Sequence, residues 1–337
     1  MAIEPRGEAR SRRERTRQID FVTPPIGASA AVRRALKACD PAIYPDEESS
    51  SLKSLLVAAV GCPDAALTVV SGTTELMHMA ARLVGAGTLA FIAGPAGPEV
   101  ERACRAAGLI TAAPPLDSSL SWDIAAACSR IEQLRPGLVW LSTPNRVSGQ
   151  ALDKTSLEAI VAAANTGVVV IDESLGCFAD VPLDSAALAR RGNVVVARSL
   201  APAHGIGGLR IGYAISVPHL AAALEAHQPR RSVNIAAQQA ALVALRDPAS
   251  SNAAWCRVRK RRAEMQRTLE ASGVRALPSQ ADFVWIEVGD AALFTQRIAA
   301  FGMQVVDGTP RGLPRHVRIA VRGRADVIAL TDAMRRL

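Results

Sequence analysis

Short apolar segments alternate with longer amphipathic segments along the first two thirds of the chain, and this alternation predicts the fold class. The short segments are rich in valine, leucine and isoleucine at successive positions, which is typical of strands buried on both faces. The longer segments place apolar residues at helical spacing. The sequence therefore predicts an α/β fold in which helices cover both faces of a mostly parallel sheet. The predicted strands are 67–70, 89–92, 138–141, 168–171 and 194–196.

The pattern changes after about residue 226. Two long helices, over 234–245 and 253–272, precede short predicted strands at 283–288, 304–306 and 317–321. This change predicts a smaller α+β domain. The predicted organisation is a basic flexible tail over 1–18, an N-terminal arm over 19–44 that belongs to the smaller domain, a large domain over 45–226 and the smaller domain over 227–337.

Composition narrows the kinds of partner that we expect. The chain has 337 residues, a net charge of +8 and 39 basic residues, of which only Lys37, Lys53, Lys154 and Lys260 are lysine. This charge favours an anionic ligand, while the absence of nucleic-acid-binding motifs argues against a nucleic-acid partner. No apolar run reaches the ~18 residues of a membrane span. The six cysteines are scattered and indicate free thiols in a reducing cytoplasm.

Residues 193–213, NVVVARSLAPAHGIGGLRIGY, contain the most distinctive motif. A β-branched strand leads into a short polar segment and then into a glycine-rich segment around Arg210. This motif resembles the lysine segment of the fold-type I pyridoxal-phosphate (PLP) aminotransferases, particularly histidinol-phosphate aminotransferase and threonine-phosphate decarboxylase. The resemblance extends from about residue 20 to residue 337 and implies the PLP-transferase fold type I and a homodimer. The family's Schiff-base lysine has no counterpart, because Pro202 stands in its place.

A second motif is typical of anion binding. Ser71-Gly72-Thr73-Thr74 follows a predicted strand and begins a helix, where backbone N–H groups and the helix dipole favour a negative charge. The resemblance implies that this turn binds the cofactor phosphate together with a hydroxyl, a guanidinium and a tyrosine of the neighbouring subunit. These cofactor-binding residues are Gly72, Thr73, Ser199, Arg210 and Tyr44.

The residues that the family uses on the cofactor ring are mostly replaced. The resemblance implies that Asp172 pairs with the pyridine nitrogen, but Arg146 stands where the family has a ring-binding asparagine, and Leu175 replaces its tyrosine. Gly97 replaces the stacking aromatic residue.

Other candidates concern the substrate and the proton transfer. Arg318 matches an arginine that holds a substrate carboxylate, and we also expect Arg146 and Asn145 to bind the substrate. Asp172 is a candidate catalytic residue, and His204, two residues beyond Pro202, is a candidate base.

Three hypotheses follow, all without lysine-dependent transamination or decarboxylation. The first is a repurposed enzyme that acts on a small amino-acid-like, carboxylated or phosphorylated metabolite without a Schiff base or PLP. The second holds PLP or its amine form non-covalently on Asp172 and Arg210. The third is a non-catalytic dimeric relative that binds or regulates. The second hypothesis weakens if the Arg146 side chain occupies the ring site.

Overall fold

The computed structural model describes residues 17–18, 26–61, 66–114, 121, 123–181, 183 and 185–337. The chain divides into two compact units. The larger unit comprises residues 26–255, and the smaller comprises residues 17–18 and 256–337 of the described chain. In the described ranges, no helix has the length and the apolar character needed to cross a bilayer.

A sheet forms the centre of the larger unit. Its seven strands in the described residues have the order β2-β8-β7-β6-β5-β3-β4. Strand β8 is antiparallel to both of its neighbours, and the other neighbouring pairs are parallel. The predicted mostly parallel sheet is thus confirmed. The strands are β2 (Leu67–Val70), β3 (Leu89–Ala93), β4 (Ile110–Ala112), β5 (Leu138–Ser142), β6 (Val168–Asp172), β7 (Val194–Ser199) and β8 (Gly212–Ile215).

The central strands are apolar throughout because both of their faces are covered. Val169 and Ile171 belong to one hydrophobic cluster, whereas Val170 between them belongs to a second cluster. Successive side chains of a strand point to opposite faces, so these two clusters are the two layers on either side of the sheet. The helices around them are α1 (Ala30–Ala38), α2 (Ser50–Val60), α3 (Gly72–Ala81), α4 (Pro98–Ala106), α5 (Ile124–Leu134), α6 (Lys154–Ala163), α7 (Leu200–Ala203), α8 (Pro218–Glu225) and α9 (Ile235–Leu245).

The smaller unit is built on an antiparallel sheet. Strand β12 lies between β11 and β9, and the two-residue strand β1 pairs in parallel with β10. Its core contains Leu269, Val284, Ile286 and Ile319, all almost fully buried. The elements are β1 (Arg17–Gln18), α10 (Pro248–Ala271), β9 (Phe283–Glu287), α11 (Ala291–Ala299), β10 (Met303–Gln304), β11 (Val306–Asp307), β12 (His316–Ala320) and α12 (Arg324–Met334). The first part of α10, residues 248–255, belongs to the larger unit.

The observed division differs from the predicted domain bounds in three places. Helix α9, predicted within the smaller domain, packs against α1 and α2 in the larger unit. The buried Gln238 amide strengthens this packing by donating to the Asp46 carbonyl at 2.8 Å and the Ser49 hydroxyl at 3.0 Å. The arm residues from 26 onwards join the larger unit for the same reason. Strand β1 falls within the predicted tail, whose other residues, 1–16, lie outside the described chain together with arm residues 19–25.

A close backbone approach positions the segment after α7. Gly205 has φ +66°, and a Cβ there would lie 2.8 Å from the Ala28 backbone nitrogen, just before α1. An L side chain at this position would be both conformationally strained and in collision with the backbone. The path of the chain behind α7 therefore depends on glycine at 205.

Candidate ligand-binding site

Three neighbouring parallel strands end at the candidate site. Ser142 ends β5 and lies opposite Asp172, which ends β6, and Ser199 ends the adjacent strand β7. Open α/β sheets bind ligands beyond the carboxyl ends of their strands. These polar residues are therefore at the edge of the sheet where a ligand is expected.

The Asp172 carboxylate is fully buried, and only one of its two oxygens accepts hydrogen bonds in the described part of the chain. Its Oδ1 accepts a hydrogen bond from the Ser174 amide at 2.9 Å and another from the Ser174 hydroxyl. Its Oδ2 has no hydrogen-bond partner in the described part of the chain. The nearest cation to this oxygen is Arg146, whose Nη1 lies 3.7 Å away. The serine two residues after an aspartate is typical of a turn closed by the aspartate side chain.

The Arg146 guanidinium connects Asp172 with the first turn of α3. Its Nη1 also donates to the Thr73 hydroxyl at 3.1 Å, and Thr73 is buried. Ser174 Oγ lies 3.4 Å from the same hydroxyl. The Arg146 side chain keeps 40% of its surface exposed. A cation thus occupies the space between the buried carboxylate and the helix.

A second guanidinium lies against the same turn. Arg210 Nη2 donates to the Thr74 hydroxyl at 3.4 Å, and Nη1 donates to the Gly207 carbonyl at 3.3 Å. A Cβ on Gly72 would lie 2.8 Å from Arg210 Nη2, and Gly72 itself has φ +75°. Glycine is therefore required at 72 on both grounds. Arg210 and Arg146 together contact three consecutive residues, 72 to 74.

The turn itself has the properties of an anion site. The first N–H groups of a helix have no intrahelical partners, and Ser71 provides no side-chain cap to them. The Glu75 carboxylate accepts from the Ser71 amide at 2.6 Å, from the Ser232 hydroxyl at 3.2 Å and from the Gln228 amide at 3.3 Å. These bonds anchor the turn to a neighbouring segment.

Pro202, the residue at the position where the resemblance implies a lysine, lies in the short helix α7. Ser199 caps this helix by accepting a hydrogen bond from the Ala201 amide at 3.3 Å. Pro202 is the third residue of the helix and is half-buried. Two of the four lysines pair with glutamates, Lys53 with Glu225 at 2.9 Å and Lys154 with Glu158 at 3.9 Å. In the described residues, no lysine contacts Asp172, Arg146 or Arg210.

His204 contacts a different part of the larger unit from Asp172. Its Nδ1 lies 3.0 Å from the Ser251 hydroxyl, and its ring centroid lies 6.0 Å from that of Trp255. Burial lowers the pKa of His204 to about 4. The structure therefore places this predicted base against α10, while its catalytic role stays a prediction.

The Asn145 side chain is hydrogen-bonded both to its own loop and to Pro95. Its amide nitrogen donates to the Pro95 carbonyl at 2.8 Å, and its Oδ1 accepts from the amides of Val147 and Ser148, both at 2.9 Å. Asn145 is buried, so these bonds orient the loop that carries Arg146. The structure supplies no stacking group at 97 either, where a Cβ would lie 2.5 Å from the Glu99 carboxylate.

The two remaining predicted residues, Tyr44 and Arg318, have other contacts in the structure. Tyr44 is 81% exposed, with the Arg231 guanidinium carbon 5.5 Å from its ring centroid, and Arg231 pairs with Glu47 at 3.0 Å. Arg318, in the smaller unit, is buried, with its guanidinium carbon 4.8 Å from the Phe283 ring centroid. Their proposed ligand contacts stay predictions. Ser174, two residues after Asp172, had no predicted role, and Thr74 was predicted only as part of the turn at residues 71–74.

These residues fit one part of the cofactor that the resemblance implies and do not fit the other part. The turn of α3 with Arg210 fits a phosphate group. The opposite end does not fit a pyridinium ring, because the Arg146 cation already lies at the free oxygen of Asp172. The neighbouring α7 also contains no lysine. The site therefore fits the anionic end of the cofactor and not its ring.

Comparison with known proteins gives the family. A family model for aminotransferase class I and II matches residues 19–334. Histidinol-phosphate aminotransferase 2 of Ralstonia nicotianae is 32% identical over 332 residues, covering 92% of this chain and 86% of that protein.

Solved structures share the fold. Histidinol-phosphate aminotransferase of Sinorhizobium meliloti, in complex with pyridoxal-5'-phosphate, has a TM-score of 0.87 at 22% identity, covering all of this chain and 96% of that one. L-threonine-O-3-phosphate decarboxylase of Porphyromonas gingivalis has a TM-score of 0.82 at 23% identity, covering 95% of this chain and 98% of that one. This is the predicted fold type I. The chain therefore belongs to the class I and II aminotransferase family.

Proposed function

We propose that this family member is a repurposed enzyme that binds a small phosphorylated metabolite at the first turn of α3 and does not form a Schiff base. The observation that carries the proposal is the Arg146 guanidinium, which lies 3.1 Å from the Thr73 hydroxyl and 3.7 Å from Asp172 Oδ2. The anionic end of the family's binding site is thus retained, while a cation of the chain itself occupies its ring end.

At the anionic end, the ligand phosphate would lie on the N–H groups of residues 72 to 74. Arg210 would bind it with charge-assisted hydrogen bonds, which are about twice as strong as neutral ones. The Ser199 hydroxyl is the further donor that the family pattern suggests. The helix dipole adds about 0.3–1 kcal/mol to the binding of an anion at such a turn.

At the other end, the chemistry of a primary amine is missing. Schiff-base formation requires an amine nucleophile, and proline offers neither an amine nor a backbone N–H. Arginine cannot substitute, since it stays protonated at physiological pH. The predicted catalytic residue Asp172 would act on a ligand through Arg146, because its carboxylate is fully buried and Oδ2 lies 3.7 Å from Arg146 Nη1.

An absorbance titration with PLP tests the absence of Schiff-base chemistry. Purified protein is titrated with PLP and reduced with borohydride, and its intact mass is then measured by mass spectrometry. We expect no reducible covalent adduct at the site. Calorimetry with inorganic phosphate is expected to show binding that Arg210→Gln weakens by about 10- to 100-fold, as removal of a charged hydrogen bond predicts. A stoichiometric PLP adduct in the wild-type protein would overturn the proposal.

A non-catalytic binding protein is the second candidate. The contacts of His204 favour it, because the predicted base lies on Ser251 rather than in the Asp172 cluster. The two candidates differ in turnover. NMR of a bound phosphorylated metabolite over time shows a new product for an enzyme and an unchanged ligand for a binding protein.

We also propose a homodimer, as in the family pattern. The exposed Ile43 and Tyr44, 57% and 81% accessible, would lie at the interface, with Tyr44 reaching the phosphate of the partner subunit. Light scattering should give twice the chain mass of 35.4 kDa. A monomer at micromolar concentration would contradict this part of the proposal.

A further inference from the structure

We infer that the ligand carries a second acidic group, such as a carboxylate, beside its phosphate, and that Arg146 is the residue that recognises it. This inference rests on the proposed function and names the substrate class of the same site.

The two guanidinium groups contact adjacent residues of one helical turn. Arg146 donates to the hydroxyl of Thr73, and Arg210 donates to the hydroxyl of Thr74. The side chains of consecutive helical residues point about 100° apart, so a ligand lying across the first turn would have one guanidinium group on each side. Arg146 comes from the loop after β5 and Arg210 from the segment before β8, so the two side chains reach the turn from different strands.

Among the nearby acidic groups, Asp172 is the counter-ion of Arg146 at 3.7 Å, and two others are engaged elsewhere. Glu173 pairs with Arg198 at 2.9 Å, and Glu75 is engaged by the Ser71 amide and the Ser232 hydroxyl. Arg210 has no acidic partner in the described residues. Two cations at the positive end of a helix repel one another, and an anion between them removes that repulsion.

The buried Asp172 carboxylate is a second feature that bears on the role of Arg146. Its Oδ2 is fully buried, lacks a hydrogen-bond partner in the described chain and lies 3.7 Å from Arg146 Nη1, slightly beyond hydrogen-bond distance. A buried carboxylate oxygen without a donor is costly. A shift of Arg146 by less than 1 Å would close this bond and orient the guanidinium. Asp172 is therefore a positioning residue for Arg146, and the exposed side of Arg146 faces the ligand.

This division of roles defines the ligand class. The phosphate lies on the turn of α3 with Arg210, and the second acidic group binds Arg146, which can form a planar two-bond contact with a carboxylate. A phosphate ester without a second acidic group would use only half of the site. A phosphorylated carboxylic acid of small size would use both halves.

Calorimetry with two matched probes tests the inference. Phosphoglycolate carries a phosphate and a carboxylate, whereas ethyl phosphate has the same length and no carboxylate. At fixed ionic strength, we expect wild-type protein to bind phosphoglycolate at least about tenfold more tightly than ethyl phosphate. Arg146→Gln should reduce this ratio to below about twofold and leave ethyl phosphate affinity nearly unchanged. Asp172→Asn should reduce the ratio partially.

The controls separate the inference from the function on which it rests. Arg130→Gln removes one exposed positive charge from α5 and should preserve the ratio. Equal wild-type affinity for the two probes, or an equal loss of both in Arg146→Gln, would overturn the inference and leave the phosphate site intact. Failure of wild-type protein to bind either probe or inorganic phosphate would overturn the proposed function as well. Circular dichroism melting confirms that each variant is folded.

Discussion

The two ends of the site differ in how each is built, and the difference shows which family features depend on architecture and which depend on single side chains. The anionic end consists of a helix terminus, a glycine with positive φ and an arginine that packs on it. The ring end consists of side chains alone, and there Arg146 lies beside Asp172 while Pro202 stands near the end of β7. Backbone features persist as long as the fold does, whereas one side-chain change can alter the chemistry.

The largest expected effect is the restoration of the ring end. The double variant Pro202→Lys with Arg146→Asn supplies a primary amine and removes the cation from Asp172. We expect borohydride reduction with PLP to give a covalent adduct at position 202, at least about tenfold more abundant than in Pro202→Lys alone. Intact mass and peptide mapping measure it.

The control for this experiment is Arg130→Lys, which adds an exposed lysine on α5 and reports non-specific labelling. Equal adduct formation in Pro202→Lys with and without the change at Arg146 would mean that this guanidinium does not block the ring. The comparison of the two ends would then depend on the lysine alone.

A smaller effect is expected from damage to the anionic end. Gly72→Ala would place a Cβ 2.8 Å from Arg210 Nη2 at a positive φ. We expect a loss of about 1–3 kcal/mol in the free energy of unfolding and a loss of phosphate binding, because strain and displacement of Arg210 act together. Urea unfolding and phosphate calorimetry measure the two effects.

The matched control is Gly85→Ala, where φ is not positive and the closest atom to an added Cβ is the Thr88 hydroxyl at 3.9 Å. This variant should change neither quantity appreciably. If Gly72→Ala retains full phosphate affinity, the turn is not the anion site, and the two ends would not differ in the way described.

The smallest effect concerns the residue just beyond α7. Burial lowers the pKa of His204 to about 4, below its ordinary value of 6.5, so the unfolded chain binds the proton more tightly than the folded chain does. Stability is then complete above about pH 6.5 and is lost as the pH falls towards 4. Between pH 7 and pH 5 we expect wild-type protein to lose about 2 kcal/mol more than His204→Gln does.

Urea unfolding at the two pH values measures this difference, with His227→Gln as a control at an exposed histidine. A pH-independent difference between wild-type protein and His204→Gln would show that the histidine is not buried as described. A large loss of turnover in His204→Gln, without a change in stability, would return this residue to the list of catalytic groups.

Local patterns predicted the strands well and the long-range contacts poorly. The strand Leu67–Val70 and the central strands were predicted from apolar runs, because burial on both faces requires such runs. The strand Gly212–Ile215 was not predicted, since its glycine and its position in a motif obscured it. Helix α9 was placed in the wrong domain because its alanine-rich surface gives little indication of which elements it packs against.

In the candidate site too, local features were predictable from the sequence and long-range contacts were not. The resemblance placed Arg146 at the position of a ring-binding asparagine, but the contact of Arg146 with Thr73, 73 residues away, depends on a side-chain conformation. The contact of His204 with Ser251 is similarly long-range. A periodic pattern contains no information about such pairs.

Gly205 shows which part of the motif at residues 193–213 is constrained by the fold. The chain at 205 passes so close to the backbone at Ala28 that no other residue fits, whereas the side chain at 202, three residues earlier, is only half-buried. The backbone therefore constrains the residue type more tightly at position 205 than at position 202. Under the proposed function, the glycine at 205 would be kept by the close backbone packing, whereas the residue at 202 would be set by the chemistry.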